Sequence, residues 1–245
     1  MNANKKNISM HHLGRPADTA RWFVLTAIRG TIYTALPILA AFATASSLAA
    51  EPNAAPAPAP SFNEIPATRA TLDQLRAGGF VLYLRHGQTD NSHPDRVPSV
   101  DLNDCATQRP LTAAGRAVSA QVGEALRRAR VPIGEVRVSP LCRAKDSAAA
   151  LLGPGRPYSV DPDLMYVANL TSAQKAPILA NTRRLLAAPP PPGTNRLLVA
   201  HAPNLMELIG YYPKESTLVI FLPRGDAAFD YVASIPPSLW PALLP

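Results

Sequence analysis

Apolar positions along this chain switch between two periods. Residues 80–84 form a continuous apolar run that is too short for a buried helix, and it ends abruptly at Arg85-His86-Gly87; it reads as a buried strand. Leu111, Ala114, Val118, Val122, Ala125 and Ala129 then recur at helical spacing, leaving Arg116, Arg127 and Arg128 for the wet face. The remainder alternates in the same way. Residues 71–77 predict a short helix with Thr71 as its cap, and residues 134–138 lead into a short strand. A helix follows over 143–152, closed by Gly153-Pro154-Gly155, and another over 172–187, ended by Pro189 to Pro192 and Gly193. Residues 196–200 read as a strand, 203–209 as a helix with Pro203 in its first turn, and 217–222 and 229–235 as the last strands. Continuous apolar strands alternating with helices predict an α/β domain, a three-layer sandwich with a mainly parallel central sheet and helices on both faces.

The first fifty residues have a different pattern. Lys5, Lys6, Arg15, Arg21 and Arg29 precede an apolar run over 31–45, and small residues follow to Ala50. A positive flank, a short apolar core and small exit residues make a secretory signal over 1–50, with the mature chain starting near Ala50 or Glu51. The protein is therefore expected to be exported, periplasmic or secreted. The alternative is a retained N-terminal membrane anchor, which Arg29, Gly30 and Pro37 argue against by interrupting the span. Residues 51–61, "EPNAAPAPAPS", form an Ala/Pro-rich extended linker, and the folded domain is expected over 62–245.

That division changes the charge picture. The whole chain carries 24 Lys/Arg, 17 Asp/Glu and a net +7, but five of the basic residues and one acidic residue lie in the signal, leaving 19 and 16, a net of +3. A mild positive balance suits an anionic substrate and is no nucleic-acid signature. Cys105 and Cys142 are the two cysteines. In an exported protein they are expected to form a disulfide, contributing about 4 kcal/mol by loop closure; the alternative is two buried thiols.

Ligands in open parallel sheets sit beyond the carboxyl ends of the strands. Three predicted strands end in loaded residues: Arg85-His86-Gly87, Ser139-Pro140-Leu141-Cys142-Arg143, and His201-Ala202-Pro203-Asn204. Beyond the signal the chain has three histidines, and His86 and His201 both fall at strand ends. His93, in the turn-like "NSHPD", reads as a loop residue. Arg-His-Gly, then Ser-Pro-x-x-Arg, then a His after "LLVA", with "RPLTAAG" opening a helix between them, resemble the histidine phosphatase superfamily. The resemblance covers roughly residues 79–240 and implies a phosphoglycerate-mutase-like fold. It implies that His86 is a nucleophile forming a phosphohistidine, that Arg85 and Arg143 hold the phosphoryl oxygens, and that His201 stabilises developing charge. Gly87, Thr89 and Asn91 would line the substrate pocket, and Arg109 faces either the site or solvent. A disulfide from Cys105 to Cys142 would brace Arg143. No metal or cofactor is required.

The pattern departs from the family at the general acid. The position where many members place Glu holds Tyr166, and the residue after the second His, acidic in phytase-like members, is Ala202. Asp90 and Glu215 are the first candidates for proton donor, ahead of Asp161 and Asp163. The chain leaves little room for a cap domain, so an open site is expected. Its substrate would be a small or surface-bound phosphomonoester, such as a phosphorylated sugar. Two other functions fit the same fold: a phosphate-binding module without turnover, and a mutase, which export argues against.

Overall fold

The computed structural model describes residues 61–97 and 99–244. The expected signal over 1–50 and all but the last residue of the expected linker lie outside the described residues. The chain divides into units 1–56 and 57–245, and the architecture below is that of the second.

In chain order the elements are α1 (Arg69–Ala77), β1 (Val81–Arg85), α2 (Ala113–Arg128), β2 (Ile133–Val138), α3 (Cys142–Leu152), β3 (Ser159–Val160), α4 (Ser172–Ala187), β4 (Asn195–Ala200), α5 (Ala202–Ile209), β5 (Leu218–Gly225), β6 (Ala228–Ile235) and α6 (Trp240–Leu243). The six strands form one sheet in the order β3-β2-β4-β1-β5-β6. The pairings among β3, β2, β4 and β1 are parallel. β5 and β6 join as an antiparallel hairpin. They turn at Asp226-Ala227, both at positive φ (46° and 60°), the backbone that a two-residue hairpin turn requires. The sheet is thus mixed, with the α/β core parallel as expected.

Alternate residues of each strand feed two cores, one per face. Leu82, Leu84, Val136, Val138, Leu197 and Val199 pack with α1, α2, α3 and α6. Val81, Tyr83, Leu198, Ala200, Val219 and Phe221 pack with α4 and α5. Every residue of β4 is buried, which explains why its pattern reads as a continuous run.

Two local expectations need correction. Thr68, not Thr71, caps α1; Thr71 closes a capping box by accepting the Thr68 N–H. On α2, Ala114 is exposed and Val118 only partly buried, while Gly115, Ser119, Val122, Gly123, Ala125 and Leu126 face inward. Small residues at spacing four let α2 approach its neighbours, and a Cβ on Gly123 would lie 1.9 Å from the Leu151 carbonyl oxygen of α3.

Candidate active site

Strand register decides what meets at the carboxyl edge of the sheet. Arg85 of β1 pairs with Ala200 of β4, and Val138 of β2 pairs with Val199. The residues that follow are therefore level. His86 donates its backbone N–H to Ala200 O (3.1 Å), and Ser139 donates to Val199 O (2.9 Å). The rings of His86 and His201 stand 5.3 Å apart, centroid to centroid.

The His86 side chain is buried, with Nδ1 2.8 Å from Gly87 O. A carbonyl oxygen only accepts, so Nδ1 bears the proton and Nε2 keeps its lone pair. Burial lowers the His86 pKa to about 3, assisted by the positive charges of Arg143, Arg85 and Arg109. His201 is fully buried and ends β4 as the N-cap of α5. Its backbone is clasped by Tyr83, whose hydroxyl donates to His201 O (2.8 Å) and accepts from His201 N (3.0 Å). Its Nε2 lies 2.7 Å from Ser139 Oγ, while Nδ1 has no partner among the described residues. Burial first, then Arg143, pushes its pKa well below the usual imidazole range.

Arg143, in the first turn of α3, is fully buried. Its Nη1 donates to Asp95 Oδ1 (2.9 Å), and its Nε and Nη2 have no partner among the described residues. Burial lowers this guanidinium's pKa and Asp95 counteracts that. Arg85 donates from Nη1 to Pro213 O (2.6 Å) and lies over the Tyr212 ring, and its Nε has no partner among the described residues. Arg109 donates from Nη1 to Asn91 Oδ1 (3.0 Å), and its buried Nε has no partner among the described residues. It lines a cavity together with Asn91, Asp95 and Tyr166. Buried donors without acceptors are costly. Here they sit on Arg143, Arg85, Arg109 and His201, the last with its ring 5.3 Å from that of His86.

The start of α3 is held twice. Cys142 is joined to Cys105, and its N–H donates to Gln108 Oε1 (2.7 Å). Gly87 packs against α2, where a Cβ on it would lie 2.5 Å from Gly115 O. Its N–H is taken by Ser147 Oγ (2.9 Å), so Gly87 contributes close approach and no free donor. Thr89 is buried in a bridge to Leu111, and Asn91 lies at the mouth.

The carboxylates are distributed unevenly. Asp90 accepts from Ser92 and contacts the exposed His93, and these bonds lower its pKa to about 2. Glu215 stands 3.6 Å from Arg85 Nη2, and the adjacent Ser216 N–H donates to His86 O (3.2 Å). Asp161 is turned to Arg137 and Asn181, and Asp163 is exposed. Asp95 was not anticipated. It lies in a Pro-rich polar stretch with no periodicity, and nothing in the sequence links it to a residue 48 positions later. Tyr166 is 5.5 Å from the His201 ring, with Arg143 over its face at 5.2 Å.

Two adjoining cavities lie beside this cluster, neither lined by His86, Arg85, Arg143 or His201 themselves. One, about 270 Å³, is lined by Asn91, Asp95, Arg109, Tyr166 and Asn169 among others. The second, about 180 Å³, shares Asp95 and Tyr166 but is mostly apolar. A cavity of about 400 Å³ between α2 and the C-terminal residues contains none of this chemistry. Among the described residues, no group of three His, Cys, Asp or Glu side chains could hold a metal ion.

Residues 81–169 match the sequence family described as histidine phosphatase superfamily (branch 1). No curated protein matches the chain. Among solved structures, the protein histidine phosphatase SixA complexed with tungstate is 21% identical, with a TM-score of 0.46 over 65% of this chain and 97% of that one. A mycobacterial glucosyl-3-phosphoglycerate phosphatase complexed with VO3 is 22% identical, with a TM-score of 0.40 over 59% and 92%. Phosphoserine phosphatase from Entamoeba histolytica, in complex with 3-phosphoglyceric acid, is 13% identical, with a TM-score of 0.44 over 64% and 96%.

Proposed function

We propose that the chain is a member of the histidine phosphatase superfamily, whose family model matches residues 81–169, and that it is an exported phosphatase that hydrolyses a phosphomonoester through a phosphohistidine on His86. The observation that carries this reading is the pairing of the His86 and His201 rings at 5.3 Å together with buried nitrogens that lack a partner among the described residues, Arg143 Nε and Nη2, Arg85 Nε and His201 Nδ1. A phosphoryl group spreads negative charge over three oxygens and would satisfy these donors together.

In this mechanism His86 Nε2 attacks phosphorus while the Nδ1–H bond to Gly87 O fixes the ring. The P–O bond to the leaving group breaks, and charge builds on oxygens held by Arg143 and Arg85. Ser139 Oγ–H donates to His201 Nε2, which sets the His201 proton on Nδ1, facing the same oxygens. Of the two expected proton donors we favour Glu215 on position alone: it is one residue from the backbone contact to His86 and 3.6 Å from Arg85 Nη2, whereas Asp90 is tied to Ser92 and His93. Glu215 protonates the leaving oxygen. Water then attacks the phosphohistidine, its proton passes to Glu215, and the N–P bond breaks to give inorganic phosphate and free His86.

Export is supported by the disulfide, which persists in oxidising compartments. Among the described residues, no helix is long and apolar enough to cross a membrane. We assign residues 1–50 to the signal, 51–61 to the linker and 62–245 to the catalytic domain.

Steady-state assay with an aryl phosphate tests the proposal. Turnover that His86→Ala lowers on the order of 10³-fold or more is expected. Phosphate binding without turnover in the wild-type protein would instead indicate a binding module of this fold.

A further inference from the structure

The 180 Å³ cavity beside the cradle has an unusual lining for a site that handles a dianion. Val100, Leu102, Leu141, Met165 and Leu170 line it together with Tyr166. Leu102 remains 38% exposed and Val97, at the rim, 77%, so apolar surface faces water at the entrance. His86, Arg85, Arg143 and His201 do not themselves line the cavity, but three of its residues border them. Tyr166 contacts His201 and Arg143 with its ring, Asp95 bonds Arg143, and Leu141 lies two residues before Arg143 as the N-cap of α3. The adjoining polar cavity carries Arg109 and Asn91, which suit the phosphate end.

We infer that the organic group of the substrate lies on this apolar wall, and that the enzyme selects phosphomonoesters bearing an aryl or alkyl group next to the phosphate over phosphorylated sugars and other polyols. The inference rests on the phosphatase reading above and names the substrate class of the same site. Asp95, Arg96, Ser99 and Asn169 complete the lining, but a polyol laid against Leu102, Leu141, Met165 and Leu170 would lose water from its hydroxyls without gaining partners from those side chains. An alkyl or aryl group removes the exposed apolar surface from water instead.

The test is a series of n-alkyl phosphates from ethyl to octyl, compared with glycerol phosphate and glucose 6-phosphate. These alkyl leaving groups differ little in acidity, so chain length isolates the wall. Specificity, kcat/KM, should rise with each added carbon, by up to about fourfold per fully buried methylene, until the wall is covered. Both polyol phosphates should fall below butyl phosphate, and Leu170→Asp should flatten the series. A flat series with measurable turnover would overturn the inference while leaving the phosphatase reading in place. Calorimetric titration with n-alkylphosphonates, which cannot be hydrolysed, reads the wall without turnover. Affinity rising with chain length supports it even if no ester is turned over, in which case only hydrolysis fails. Affinity independent of chain length overturns it.

Discussion

Arg143 Nη1 and Asp95 Oδ1 are paired at 2.9 Å, the arginine side chain fully buried and the aspartate partly exposed (16%). The pair holds the guanidinium plane while its Nε and Nη2 have no partner among the described residues. Asp95 also accepts the Arg109 backbone N–H (2.8 Å), which ties it to the segment leading into α2.

Asp95 thus has two separable effects, anchoring and charge. Asp95→Ala removes both and leaves a buried cation without its counter-ion, which should cost about 3 kcal/mol of stability and lower kcat. Asp95→Asn keeps an acceptor but removes the negative charge beside the bound anion. It should tighten inhibition by inorganic phosphate several-fold with a smaller loss of stability. Denaturant melts and phosphate inhibition constants for the two variants check this. Weaker phosphate inhibition in Asp95→Asn would contradict the assignment.

The disulfide and Gln108 brace the same residue, Cys142. Cys105 is exposed, so a mild reductant reaches the bridge. Reduction should lower turnover before the domain unfolds, since a displacement of about 1 Å at a catalytic group costs on the order of a hundredfold. Cys105→Ser should reproduce the loss, and Cys105→Ser/Gln108→Ala should deepen it. Full activity in Cys105→Ser/Cys142→Ser would show that the bridge does not position Arg143.

Much of this was legible in the sequence because strand ends are local. Arg85-His86-Gly87 and His201 each follow a short apolar run, and Arg143 follows Ser139-Pro140. Parallel pairing brings the ends together without any further information. The antiparallel direction of β5 was not legible, because a buried strand has the same apolar run in either direction. The inward face of α2 was misread because its contact residues, Gly115, Ser119 and Gly123, are small and not apolar. Close approach uses an absence of side chain, which hydrophobic periodicity does not register. Asp95 and Tyr166 escaped assignment because their roles come from tertiary contacts to α3.

Gly115 offers a test of that close approach. Alanine in a helix interior ordinarily stabilises by about 1 kcal/mol over glycine. Here a Cβ would lie 2.3 Å from Gln88 O, one residue beyond Gly87. Gly115→Ala should therefore destabilise and also lower kcat, by shifting the His86 turn. Gly123→Ala, against Leu151 O, should destabilise with less effect on kcat. Thermal melts combined with kcat separate the two positions.

Both site histidines have folded pKa values depressed by burial. Between pH about 6.5 and about 3 the unfolded chain binds protons that the folded His86 refuses, so stability falls as pH falls through that window. Each histidine contributes a slope of at most about 1.4 kcal/mol per pH unit. His201→Gln should reduce the loss of Tm between pH 6.5 and 4. An unchanged slope would show that His201 titrates normally.

The central claim is that His86 carries the phosphoryl group. Rapid acid-free quenching of the enzyme with a radiolabelled aryl phosphate, followed by denaturing separation, reads it directly. The account predicts about one label per chain at most, stable in base and lost in acid as a phosphoramidate must be, located on the peptide containing His86 and absent from His86→Ala. Wild-type turnover without any trapped label on that peptide, or label that persists in His86→Ala, would contradict it.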